Sequence, residues 1–150
     1  MNRVAYCHFC DDVRLEVGNK SSLMGVYGGD LQVPSFPYVL PKFAVVTFIR
    51  THIDKPISTL VFEVRDGSDV LVRHEVPPEE LASAQRTILA RDDGSEPAQA
   101  VALGATTFLS PLSLNQPTVV KAVVICDGEE MIAGKLYVRQ MDQALVPAGA

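Results

Sequence analysis

Basic residues are in short supply. Thirteen Lys and Arg stand against eighteen Asp and Glu, giving a net charge of −5 and a pI near 5.1. No basic stripe and no long block of like charge occurs. A surface for nucleic acid or for an anionic membrane is therefore not expected. Long apolar runs are missing too: none approaches the roughly 18 residues needed to span a bilayer. The opening MNRVAYCHFCDD has no uninterrupted apolar stretch and no small-residue cleavage site. A signal peptide is not expected, and cytoplasm is the expected compartment. Cysteine is sparse: Cys7, Cys10 and Cys126 are an odd number, suited to reduced thiols and not to a disulfide framework. There is no GxSxG, and the serines and histidines show no triad-like spacing. The glycines of GVYGGD lack the spacing and the following helix of a phosphate-binding loop. No catalytic residue and no cofactor is expected.

What is present is a chain of 150 residues with 47% apolar content. That is the size of one domain, which buries roughly 68–70% of its unfolded surface and needs no metal or disulfide to stand. The expected boundaries are one domain over 1–142 and a frayed tail over 143–150.

Short β-branched runs recur between turn residues. Val4–Cys10 reads as a first strand, GNK at Gly18–Lys20 as a turn, and Leu23–Tyr27 as a strand broken by GGD. VPSFPYVLP carries Pro34, Pro37 and Pro41 and reads as a loop crossing one end of a sheet. Phe43–Arg50 is nearly all apolar, the mark of a strand covered on both faces or of a core strand between two sheets. Thr59–Arg65 and Val70–Val76 flank the hairpin chemistry of DGSD. PPEELASAQ reads as a helix start near 78–86, although Thr87–Ala90 is equally suited to open a strand. DDGSEPAQ is a loop. Val101–Leu109 is a strand interrupted by Gly104. Val119–Cys126 and Met131–Val138 flank CDGEE as a hairpin, with Ile132, Gly134, Leu136 and Val138 on one face. Strands at this spacing, seven to nine with at most one or two short helices, predict an all-β fold. A two-layer antiparallel sandwich with Greek-key connections, immunoglobulin-like or C2-like, fits best. A partly closed barrel is the alternative.

CHFC, at Cys7–Cys10, has the spacing of a metal or redox pair. A zinc site needs four converging ligands. The other candidates, Cys126, His8, His52 and His74, are scattered. Residues three apart in a strand point to opposite faces, so Cys7 and Cys10 would not chelate together. No helix follows to lower a thiol pKa. No metal ligand is assigned. The carboxylates offer more: Asp11 and Asp12 end the first strand, Arg14 follows, and Asp30 closes the next. If those strands pair as a hairpin, the three carboxylates gather with Arg14 at one sheet end. They could then hold Ca²⁺ or Mg²⁺. They could equally cap turns and pair with nearby cations. Tyr6, Tyr27, Tyr38 and Phe36 form either core or an aromatic partner surface.

The stretch from Phe9 to Lys42 carries FCDDVR, GNKSSL, GVYGGD and a proline-bounded loop ending in LPK. This pattern resembles a family of uncharacterised bacterial proteins, a domain of unknown function. The resemblance covers about 35 residues and implies a single small β domain without an assigned activity. It directs attention to Asp11, Asp12, Arg14 and Asp30.

Three functions are expected from these residues. The first is a non-catalytic interaction or assembly module with an unidentified protein partner or a second copy of itself, since sandwich edges suit strand pairing. The second is a divalent-cation or small-ligand domain, with an enzymatic role left open, using Asp11, Asp12, Arg14 and Asp30. The third is a calcium-dependent lipid-binding sandwich using the Asp11/Asp12 and Asp92/Asp93 pairs.

Overall fold

Turn chemistry divides this chain into short extended pieces, and only a few local signals make a helix. The computed structural model describes residues 2–91 and 96–142. The Asp92/Asp93 pair, the first residues of DDGSEPAQ and the tail 143–150 lie outside the described residues. Twelve strands and one helix run in the order β1 (Val4–Cys10), β2 (Asp12–Glu16), β3 (Lys20–Met24), β4 (Asp30–Val33), β5 (Tyr38–Leu40), β6 (Phe43–His52), β7 (Leu60–Asp66), β8 (Asp69–Glu75), α1 (Pro78–Leu89), β9 (Ala100–Leu109), β10 (Leu112–Leu114), β11 (Thr118–Cys126) and β12 (Glu129–Gln140).

The architecture is a layered β-sandwich. One sheet has the order β1-β6-β9 and the other β4-β12-β11-β7-β8. Two ribbons, β2-β3 and β5-β10, bring the strands to twelve, where the sequence pattern gave seven to nine. The core lies between the sheets. Phe9, Phe43, Val45 and Ile49 face Phe62, Val64, Val120, Ala122, Val124, Leu136 and Val138. Each fully buried Val, Ile, Leu or Phe among them contributes about 1.5–3 kcal/mol. β6 is apolar throughout because both its faces are covered: Phe43, Val45 and Ile49 point into the core, while Ala44 and Val46 lie under Val13 and Leu23 of the β2-β3 hairpin. β5 and β10 add Leu40, Leu112 and Leu114 to the core. The proline-bounded segment is thus more than a crossing loop, since Tyr38–Leu40 is a paired strand.

The two later hairpins match their turn chemistry. Asp127 and Gly128 have φ of 50° and 81°, the pair of positive values that a two-residue Asp-Gly turn needs. Asp127 also accepts the Ser58 and Thr59 N–H groups at 2.8 Å each and pairs with Arg3 at 2.7 Å. Gly67 turns β7 into β8 at φ 60°. In α1 the entering prolines and Glu79/Glu80 favour the N-terminal end. The helix runs on to Leu89, so Thr87–Leu89 are helical and do not open a strand. Gln85 secures it: its Oε1 accepts the Ile57 N–H and its Nε2 donates to the Ile57 carbonyl, both at 2.8 Å.

Three expectations are corrected. First, the expected antiparallel sandwich includes one parallel pair, β4 with β12. Second, β1 pairs with β6, and the GNK turn belongs to a separate hairpin that starts at Asp12. Third, Ile132 does not share a face with Gly134, Leu136 and Val138. The register slips between Ala122 and Val123, so Ala133 is an extra residue and Ile132 turns outward, 46% exposed. A bulge of this kind reverses the alternation on one side of it. No described helix is long and apolar enough to cross a membrane.

Candidate functional site

The CHFC pair resolves into two unrelated environments. In β1, Cys7 points into the sandwich and packs with the core, and Cys10 points outward beneath the hairpin. Burial pushes the Cys7 thiol up to about 12. The Cys10 thiol is also raised, first by burial and then by the charges of Asp11 and Asp12, and donates to the Ala44 carbonyl at 3.7 Å. Cys126 is buried with the Ile49–Phe62 cluster and is raised by burial as well. All three are neutral thiols held as small apolar side chains.

The acidic residues are not brought together. Asp11 accepts a hydrogen bond of 2.5 Å from the Tyr27 hydroxyl, and its N–H reaches the Met24 and Gly25 carbonyls. Burial, then this bond to Asp11, raises the Tyr27 hydroxyl above its ordinary value. A Cβ at position 25 would collide with the Asp11 carboxylate, and Gly25 sits at φ +65°. Asp12 caps the Val13 N–H at 2.9 Å and pairs with Lys42 at 3.3 Å. Arg14 pairs with Glu16 at 3.5 Å on the exposed side of the hairpin. Asp30 opens β4 in the other sheet and pairs with Arg139 at 3.1 Å. The four residues thus have four separate partners. Among the described residues, no group of three or more His, Cys, Asp or Glu side chains is placed to hold a metal ion. A further charged group, Arg73–Glu63–Arg65–Glu130, spans β8, β7 and β12 with contacts of 2.6–2.8 Å and satisfies itself.

The aromatic residues also divide. Tyr27, Phe36 and Tyr38 pack against the core, and Tyr6 stacks on Phe48 across the outer face of the three-stranded sheet, centroids 5.0 Å apart. The same row continues to Gly104 of β9. A Cβ there would come within 2.8 Å of the Phe48 ring, so glycine lets that ring lie over the neighbouring strand. Above the row stands the β2-β3 hairpin. Between hairpin and sheet lies an open cleft of about 940 Å³, lined by Tyr6, Val13, Leu23, Val46 and Phe48, with His8, Asn19, Ser21 and Thr106 supplying polar groups. No Asp, Glu, Lys or Arg lines it. The hairpin leaves Leu15 83% and Val17 92% exposed.

Below the same stretch of β9, Gly104–Phe108 borders a second groove with Val72 and His74 of β8. The β9 edge therefore opens between two concave surfaces. Over Leu103 the groove is closed by α1 through Leu81 and Ala84. β9 has one hydrogen-bonded neighbour among the described strands, β6. The sequence marks Val101–Leu109 as a strand but gives it no role. Its signal was composition: AVALGATTFL has no charge and no proline.

No curated protein and no solved structure matches the chain. The model of one family matches residues 5–139, a span that takes in nearly all of both sheets and the whole of the segment whose pattern suggested a domain of unknown function. With nine-tenths of its length so matched, the chain belongs to the family of unknown function DUF6941.

Proposed function

We propose that this domain is a protein-interaction and assembly module that receives an added strand along β9. The observation that carries this reading is the composition of that edge: ten residues without a charge or a proline, with one strand neighbour. An edge strand presents unpaired N–H and C=O groups, and proteins that avoid pairing blunt such edges with charge, proline or brevity. Two of the other edges carry such devices, and the third, β1, is covered at one end by a backbone bond from a neighbouring loop. β8 bears Asp69, Arg73 and Glu75. β4 is four residues long and begins with Asp30. β1 has the Tyr27 N–H bonded to its Phe9 carbonyl. Strand addition uses main-chain bonds for affinity and side-chain pockets for specificity, and concave surfaces flank Gly104–Thr106 on both sides.

The test is a photo-crosslinking side chain at Ala102, an exposed β9 position, compared with one at Val70, exposed on β8. Adducts from Ala102 and none from Val70 are expected in cells expressing the protein. Absence of an adduct at Ala102, or equal yields at both positions, overturns the reading.

A further inference from the structure

We infer that the strand added to β9 is the β9 of a second copy, paired antiparallel about a two-fold axis at Thr106, with each Phe108 seated in its partner's cleft beside Gly104. This rests on the strand-addition reading above.

Three observations point to a second copy. First, β9 is free of charge along its whole length. A two-fold pairing sets a strand against itself, so any charge near the axis would meet its own like across the interface. A foreign strand imposes no such demand, because its charges can be opposite. Second, the outer face of β9 carries a projecting ring. Phe108 is 55% exposed, the most exposed aromatic side chain among the described residues. Third, the same face carries an apolar receiving surface. Gly104 has no side chain, the Phe48 ring lies over it, and the cleft beside it is also lined by Tyr6 and Val46.

Phe108 and Gly104 lie on one strand, on one face, two residues either side of Thr106. Antiparallel pairing opposes residues equidistant from the axis and keeps them on the same face. An axis at Thr106 therefore sets each Phe108 opposite the partner's Gly104, and Ala105 opposite Thr107. Large faces small at the outer pair, and the interaction is made twice. The result is a continuous six-stranded sheet, β1-β6-β9 extended by the partner's β9-β6-β1.

Analytical ultracentrifugation over a concentration series tests this, with four variants whose fold is checked by circular dichroism. The wild type is expected to be a dimer. Phe108→Ala should weaken it about 10- to 100-fold, because two half-exposed rings leave the interface. Thr106→Lys should be monomeric, as two ammonium groups meet at the axis. Thr106→Cys should form a disulfide-linked dimer on mild oxidation, and Ala102→Cys should not, because only residues near the axis face themselves. A dimer unaffected by Thr106→Lys and Phe108→Ala overturns the proposal, as does a dimer in which Thr106→Cys fails to cross-link. A wild-type monomer whose Ala102 photo-adduct contains a different protein overturns the second copy as occupant and leaves strand addition standing. A monomer with no adduct overturns both.

Discussion

Gly134 of β12 sits where β1 closes over the five-stranded sheet. A Cβ built there falls inside van der Waals contact with Cys7 Sγ and lies 3.4 Å from Phe9 Cε2. Gly134→Ala therefore pushes a methyl into a filled space, and overpacking of this kind costs about 1–3 kcal/mol. Its φ is not in the left-handed region, so alanine is compatible with the backbone and gains about 0.4–1 kcal/mol by restricting the unfolded chain. The net expectation is a loss of about 1–2 kcal/mol. At this chain length each kcal/mol lowers the melting temperature by about 2–4 °C. Cys7→Ala removes the sulfur that the new methyl strikes. In that background Gly134→Ala should be neutral or stabilising by up to about 1 kcal/mol, a coupling of at least about 1 kcal/mol in a double-mutant cycle. Urea unfolding of the four proteins, wild type, both singles and the double, measures it. If Gly134→Ala costs as much without the Cys7 sulfur as with it, the close approach of β1 to β12 is not what requires glycine.

Gln85→Leu keeps the volume of the side chain but orphans the N–H and C=O of Ile57, each at a cost of about 1–3 kcal/mol; denaturant unfolding should show the loss, and Ser83→Ala on the exposed face of α1 should not. The three thiols are raised by burial, Cys7 to about 12. The folded state therefore keeps protons that the unfolded chain releases above its ordinary thiol pKa of about 8.5, so this stabilisation is complete below that pH and is lost as pH rises towards the folded values. Melting temperature should fall on the alkaline side, less steeply in Cys7→Ala, and a thiol reagent should label the native protein slowly and the denatured protein at once. At Asp127 burial alone would raise the carboxyl, but the Thr59 and Ser58 N–H groups and Arg3 outweigh it and hold the group below the usual range. Its contribution is present above the unfolded carboxylate pKa of about 3.9 and lost as pH falls through the lower folded value. Asp127→Asn keeps a turn-forming side chain and should cost about 1–3 kcal/mol at neutral pH, with the difference from wild type shrinking in acid; a constant difference down to the acid transition would contradict this.

Local chemistry was legible wherever a few adjacent residues decide the outcome. CDGEE and DGSD announce their turns because Gly supplies positive φ beside a short polar residue. The Pro-Pro-Glu-Glu start announces α1. The apolar run of β6 was consistent with two covered faces or with a core strand between sheets, and the hairpin over Ala44 and Val46 makes it the first. The opposed sides of Cys7 and Cys10 followed from strand geometry alone. What sequence could not show was pairing at a distance. The GNK turn suggested that the first strand folds back on the next, whereas the bend at Asp11 ends β1 and the hairpin begins after it. Asp30 pairs with β12 in the other sheet, away from Asp11 and Asp12. The bulge at Ala133 was equally hidden, since Ile132 alternates correctly with its neighbours until an extra residue is inserted. β9 was visible as a strand, but its being an edge depends on the position of every other strand.

The parallel pair of β4 and β12 has a consequence for how the protein is made. β4 is complete by Val33, and its partner residues are Tyr137–Gln140. On the ribosome, at about 5–20 residues per second, β4 therefore emerges many seconds before the strand it needs. Its buried residues, Leu31 and Val33, stay uncovered for most of synthesis. Pairings so distant in sequence also carry a large loop-closure entropy and slow the search for the native state. The five-stranded sheet can thus be finished only when almost the whole matched region has been released. A chain stalled or cut before β12 would leave β4 unpaired and the core open along that side, so truncation near the end of this domain should be far more damaging to folding than its four-residue partner strand suggests.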